Sequence, residues 1–309
     1  MLALSRLFAL GALVSASAAP AVAATGVEWQ WPDDEVRRYR IAADVKLTQP
    51  LLFSAEYNKD VRVFDFAVAI DTKCQPTRAM SKGWEIACDV TEAQFNAHAA
   101  ANDVPIGMEV LAEWDQKLVD NATVTFVLTT DGRVQDFDVD GLNERNTRIR
   151  MIKETMRLVL LRGFAAFDLN LPKNGDGAKP WKQKTQVMLQ LPVIDGMAGA
   201  TQLQSEVAEE EGSKLTIDTV GRGTLTMQEV LDRKTPDSYD AVVRSRSLFD
   251  TSTGNLLERS YLVESNLTPG SGSAVGAQQV PYIQAVQLTY VADGMPMDML
   301  GANSVETMQ

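Results

Sequence analysis

Apolar residues recur at every second position along much of the chain, the period of a half-buried strand. Tyr39, Ile41, Ala43, Val45 and Leu47 fall on one face of an early strand. Phe64, Phe66, Val68 and Ile70 share a face of the next, whose other face carries Val61, Val63, Ala67 and Ala69. A strand apolar on both faces belongs in the middle of a sheet. Trp84, Ile86, Cys88 and Val90 alternate with Glu85, Ala87 and Asp89, which puts Cys88 inward and Cys74 in the connection leading back to it. Residues 91–101 read as a short helix, with Thr91 and Gln94 at capping-box spacing. Met108, Leu111, Trp114 and Leu118 fit a helix over 107–120.

Val124, Phe126 and Leu128 lead into Asp131-Gly132, a pair suited to a type I′ hairpin turn, and Phe137 and Val139 continue on the return strand. The strongest helical period spans 143–162: Ile149, Ile152, Met156, Val159 and Leu160 form one stripe, with Asn143 as N-cap and Gly163 as stop. Pro, Gly and Asn crowd residues 171–180, which predicts a subdomain boundary near 172–180. Val187, Leu189, Leu191 and Val193 resume alternation. Residues 194–213, small, polar and acidic through Glu209, Glu210 and Glu211, read as an exposed loop. Leu215 and Ile217 open a strand with Gly221 and Gly223 near its turn. A second hairpin covers 241–249 and 257–263, and a last strand carries Tyr282, Val286, Leu288 and Tyr290.

The predicted fold class is α+β and β-rich, a curved antiparallel sheet packed on one long amphipathic helix. In layout, the hairpin over 126–139, the helix after it and the hairpin over 249–263 resemble bacterial periplasmic lipoprotein-carrier half-barrels. That resemblance implies a curved antiparallel sheet able to hold acyl chains. It carries no functional residue across.

Composition narrows the function. The 309 residues are 45% hydrophobic and 23% charged, values of a globular chain. The net charge of −12 argues against a nucleic-acid partner. Residues 1–24 have the form of a cleavable signal peptide: Arg6, an apolar run from Leu7 to Val14, and Ala21-Val22-Ala23 before cleavage after Ala23 or Ala24. The apolar run is too short to span a bilayer. The expected organisation is a signal peptide, one β-rich domain over 25–293 and a flexible tail over 294–309, in a periplasmic or secreted protein. Export agrees with pairing of the two cysteines, Cys74 and Cys88, as a disulfide.

Familiar catalytic and metal sets are scarce. Two cysteines and one histidine rule out Cys₄ and His₃ zinc sites within one chain. His98, flanked by Ala97 and Ala99, reads as a packing or surface histidine, and no G-x-S-x-G elbow or P-loop is present. Asp136, Asp138 and Asp140 precede Gly141 as in the first half of a calcium loop, but position twelve is Thr147; the same residues read as the wet face of a strand. Met295, Met297 and Met299 offer soft sulfur for copper in what reads as a frayed tail. Arg150, Lys153 and Arg157 share a helical side, suited to an anionic partner or to pairing with the chain's own acids. Trp29 and Trp31 alternate before Pro32, as a packed edge strand or a ligand groove. No catalytic residue, cofactor or metal is assigned. The predicted function is non-enzymatic binding of a lipid or other apolar ligand between sheet and helix. An envelope interaction or structural module and a hydrolase using two of the 41 acids stand as alternatives.

Overall fold

The computed structural model describes residues 26–47, 64–99, 122–142, 160–161, 163–191, 194–227, 238–267 and 280–292. Among them are eleven strands: β1 (Arg37–Leu47), β2 (Phe64–Met80), β3 (Gly83–Ala99), β4 (Thr123–Thr129), β5 (Val134–Asp140), β6 (Trp181–Leu191), β7 (Ile194–Glu211), β8 (Lys214–Met227), β9 (Ser238–Asp250), β10 (Asn255–Leu267) and β11 (Val280–Tyr290). They form one antiparallel sheet in the order β5-β4-β3-β2-β1-β11-β10-β9-β8-β7-β6. Two meanders are therefore joined where the first strand meets the last, Tyr39 opposite Tyr290 and Ile41 opposite Leu288.

The alternation read from the sequence is the inner face of this sheet. Tyr39 and Ile41 on β1, Ile70 on β2, Ile86 on β3, Phe126 and Leu128 on β4, Phe249 on β9 and Leu288 on β11 are all buried. Opposite faces carry charge pairs such as Arg40–Asp71 and Arg244–Glu264.

The sheet curls. Eleven strands laid flat at about 4.8 Å spacing would separate the two edges by roughly 48 Å. Instead, Arg133 beside β5 reaches Gln183 of β6, the Gln183 carbonyl oxygen accepting from Arg133 Nη2 at 2.5 Å. The hairpin turns after β2, β4, β7 and β9 all lie at this same end, the closed end. An odd number of antiparallel strands leaves β5 and β6 running in the same direction across a seam. Regular antiparallel pairing cannot close that seam, and side chains do so instead.

The α+β expectation is corrected. The described residues are almost wholly β, with 3₁₀ turns at Ala165–Phe167 and Lys173–Gly175 and helical backbone only around 160–164. No long amphipathic helix packs on the sheet among the described residues, and none of them forms a helix long and apolar enough to cross a membrane. Leu160, Phe164, Phe167, Leu169 and Leu171 bury themselves as a turn followed by an irregular strap, not as a helical stripe. The rest of the predicted helix, with Arg150, Lys153 and Arg157, lies outside the described residues. So do the helix over 107–120, the signal segment 1–24 and the tail with Met295, Met297 and Met299.

Four local expectations also change. Residues 91–99 are strand, not helix: β3 continues through them opposite β2, Phe95 facing Val68 and Ala99 facing Phe64. The capping-box spacing there lost to cross-strand pairing. Cys74 is not in a connection but within β2, directly opposite Cys88. Residues 194–211 are strand β7 because Thr201, Leu203 and Ser205 point inward while Gln202, Gln204 and Glu206 point out. Small polar residues concealed that period. Accordingly, Gly221 and Gly223 sit inside β8 and not at its turn.

The Asp131-Gly132 turn is likewise not type I′. Gly132 has φ +79° but Asp131 is not in the left-handed region, and Gly132 N–H donates to Thr129 O at 2.9 Å.

Candidate functional site at the closed end

Two chain segments seal the closed end. The first is 26–36. Val27 N–H donates to Gly175 O, Trp29 N–H to Thr130 O and Gln30 N–H to Gly254 O, so this segment ties together the 3₁₀ turn and two hairpin turns. Trp29 and Trp31 are buried in the core. They form neither an edge strand nor an open groove, because their backbone pairs with turns and not with a ladder. Gly254 is obligatory here: φ is +59°, and a Cβ would stand 2.5 Å from Gln30 N.

The second segment is the strap, 160–172 with residue 162 outside the described residues. It enters beneath β1, where a Cβ on Gly163 would meet Ile41 Cγ2 at 2.8 Å. Phe167 is the hub of an aromatic plug, with ring centroids 4.8 Å from Tyr39, 5.4 Å from Phe126, 5.9 Å from Phe164 and 6.2 Å from Trp29. The edge-on geometry of Tyr39 against Phe167 adds to plain area burial. The strap then fills the seam: Leu169 N–H donates to Gly132 O and Leu171 N–H to Asp131 O, both at 2.9 Å, while Trp181 Nε1 of β6 donates to Asn170 O at 2.7 Å.

Buried polar groups fix both segments. Arg37, fully buried, donates to Asn255 Oδ1, Glu35 Oε2 and Thr253 O, and stacks on Trp31. Tyr39 Oη donates to the same Asn255 Oδ1 at 2.6 Å, and burial holds its hydroxyl well above the ordinary tyrosine range. Arg259 of β10, also buried, donates through Nη1 to Ala166 O at 2.8 Å and Asp168 O at 2.6 Å, pinning the strap. Burial lowers its pKa, opposed by the Asp168 charge. Asp168 as a residue is only partly buried, but its Oδ1 is fully shielded and has no donor. Burial pushes its carboxyl up to about 6 against the pull of Arg259 and Arg133.

Beyond the plug, the inner wall over β7–β10 is built of rows. Arg259, Ser247 and Ile217 form the row nearest the closed end; Tyr261, Ser245, Thr219 and Ser205 the next; then Val263, Val243, Gly221 and Leu203; then Ser265, Ala241, Gly223 and Thr201. The side chains are small, and many bear hydroxyls. Ser205 and Thr219 bond each other at 2.8 Å, while Thr201 Oγ1 is buried without a partner.

The other predicted residues fall as follows. Cys74 and Cys88 form the disulfide, a covalent bond compatible with an oxidising compartment. Asp136, Asp138 and Asp140 are exposed on β5 and do not converge; no group of three or more potential metal ligands occurs among the described residues. Asp136 has φ +49° beside a bulge in the β4–β5 pairing. His98 lies in the β3 backbone. For the hydrolase reading, the described acid pair nearest to a groove is Glu206 and Asp218, on the outer face of β7 and β8. Arg246 pairs with Asp218 at 3.2 Å, and the groove side chains are solvent-facing. Sequence reasoning missed Asp168, Arg259 and Arg37. Arg37 and Arg259 sit at inward positions of the alternation, which was the available signal.

No protein-family model matches the chain, and no curated protein matches it. Among solved structures, it is similar to lipovitellin, in a study of lipid–protein interactions in that protein, with a TM-score of 0.46 and 11% identity. The match covers 85% of this chain, which spans 26% of the lipovitellin chain.

Proposed function

We propose that this is an exported, non-enzymatic protein that holds an apolar or amphiphilic ligand, such as a lipid, inside the curled sheet. The observation that carries this reading is the relation between bore and lining. An eight-stranded barrel is just filled by its own side chains, and eleven strands enclose more. The aromatic plug fills the closed end. Toward the other end, the inner rows of β7–β10 carry Leu203, Val243, Val263, Thr201, Ala241, Ser265 and two glycines, side chains of modest volume for a sheet of this many strands. The disulfide and the signal-like residues 1–24 support the exported location.

Native mass spectrometry of the protein purified from the compartment it is exported to tests this reading. A bound amphiphile that is lost on organic extraction is the expected result. A clean protein mass in every preparation, with no uptake of added lipid, overturns it and favours an interaction or structural module whose bore is filled by its own chain.

A further inference from the structure

The clasp around Asp168 is an unusual piece of construction. One carboxylate oxygen is sealed from water with no hydrogen-bond donor, although the backbone carbonyl of the same residue is held by a buried guanidinium. Burying an acceptor without a donor is unfavourable, and more so for a charged group. No ion pair relieves it: Asp168 and Arg259 make no contact within salt-bridge distance among the described residues.

The charged groups facing the carboxyl are Arg259 from β10 and Arg133 and Asp131 from the β4–β5 turn, while Asn170 N–H approaches from the strap itself. This residue sits at the seam, between the Ala165–Phe167 turn that feeds the plug and the Leu169–Leu171 backbone that bridges β5 to β6.

We propose that Asp168 is a proton-operated catch for the strap: neutral, it holds the strap shut across the seam, and charged, it favours local release of residues 164–172 from the closed end. The physical reason is the difference in solvation between the two states. In the closed clasp one oxygen of the charged form is shielded from water and has no donor, and the Asn170 N–H offsets only part of that loss. When the strap lifts, the carboxylate is hydrated and loses that penalty. Opening is therefore coupled to loss of one proton. Between an ordinary aspartate near 4 and a clasped one near 6, the opening equilibrium rises up to about 100-fold as pH increases. Above that window it is flat. Arg259 and Arg133 moderate the effect without cancelling it, because burial outweighs both.

Hydrogen–deuterium exchange of the full protein, corrected for intrinsic exchange, tests this. The peptide covering 164–172 is expected to be protected up to about 25-fold more at pH 4.5 than at pH 7.5, while peptides from the paired β2 and β3 strands change little. Asp168→Asn, a neutral isostere, is expected to keep the strap protected at pH 7.5 and remove its pH dependence. Equal strap protection at both pH values, a uniform change across all strands, or an unchanged pH dependence in Asp168→Asn overturns the proposal. If that variant does not fold, carbon-13 titration of the wild-type carboxyl decides: a midpoint near 6 supports the catch, and one near 4 overturns it.

Discussion

Arg133 and Gln183 join the two ends of the sheet. The Gln183 carbonyl oxygen accepts from Arg133 Nε at 2.6 Å, and its amide nitrogen lies 3.2 Å from Asn170 Oδ1. Two residues from opposite edges of an eleven-stranded sheet thus meet over a strap that neither strand contains. Arg133→Ala leaves the Gln183 oxygen and Asp131 short of a partner and frees the seam. The expected loss is about 1–3 kcal/mol in urea unfolding, with faster amide exchange at the start of β6 and at 169–171. Unchanged exchange there would show that the seam is held by the strap backbone alone.

The disulfide links residues 14 positions apart on neighbouring strands. Replacing both cysteines by serine is expected to lower stability by about 3 kcal/mol through the freedom returned to the unfolded chain. The check is the urea midpoint of the double variant against wild type under non-reducing conditions. The intact protein should also weigh two hydrogens less than its reduced form.

Gly254 and Gln30 allow a sharper structural test. Gly254→Ala places a methyl group 2.4 Å from Gln30 Cβ at a left-handed backbone angle that favours glycine. Segment 26–36 must lift, withdrawing Trp29 from Phe249 and Phe167. The expected cost is about 2–4 kcal/mol, accompanied by a red shift of tryptophan emission as Trp29 and Trp31 reach water. Gly212→Ala, at a turn where an added Cβ has open space, bears only the backbone term and controls for it.

These residues show why the fold was partly legible in the sequence. The strands of both hairpins, the inward Cys88 and the pairing of the two cysteines follow from alternation and cysteine count, local signals that burial reinforces. β7 was hidden because Thr201 and Ser205 are inward yet polar, so hydropathy carries no period there. The C-terminal part of β3 was hidden because Ala, Gln and Asn between 93 and 99 suit a helix until β2 supplies its partner. The strap and its clasp depend on contacts between residues about ninety positions apart, such as Arg259 with Ala166 and Asp168. Nothing local announces them.

Asp168 gives a stability prediction with a definite sign. Its folded value of about 6 lies above the ordinary aspartate value, so the native state binds the proton more tightly. The associated stability is fully present below pH 4 and is lost as pH rises through 6. Asp168→Asn is therefore expected to be more stable than wild type at pH 7.5, by at most about 3 kcal/mol, and close to it at pH 4. Urea midpoints at the two pH values measure this directly. A variant less stable at pH 7.5 would mean that the charge is net favourable where it sits.

Arg259 is the counterpart of that result. Arg259→Met keeps an apolar side chain at this position but removes the guanidinium over the Tyr261 ring and the donor that holds Ala166 O and Asp168 O, and with it the cation that offsets the Asp168 charge. Losing one member of a buried charged set costs about 3–5 kcal/mol, because what remains is uncompensated. The loss should be larger at pH 7.5 than at pH 4.5, since a neutral Asp168 needs no counter-charge. Placing Arg259→Met on the Asp168→Asn background separates the two roles. If Arg259 acts only by holding the two carbonyls, its cost is the same on both backgrounds. If it also offsets the carboxylate, the double variant loses less than Arg259→Met alone at pH 7.5, by about 1 kcal/mol or more, and the difference vanishes at pH 4.5. The charges facing the clasp predict the second outcome, because Arg259 is the largest force opposing the burial of Asp168.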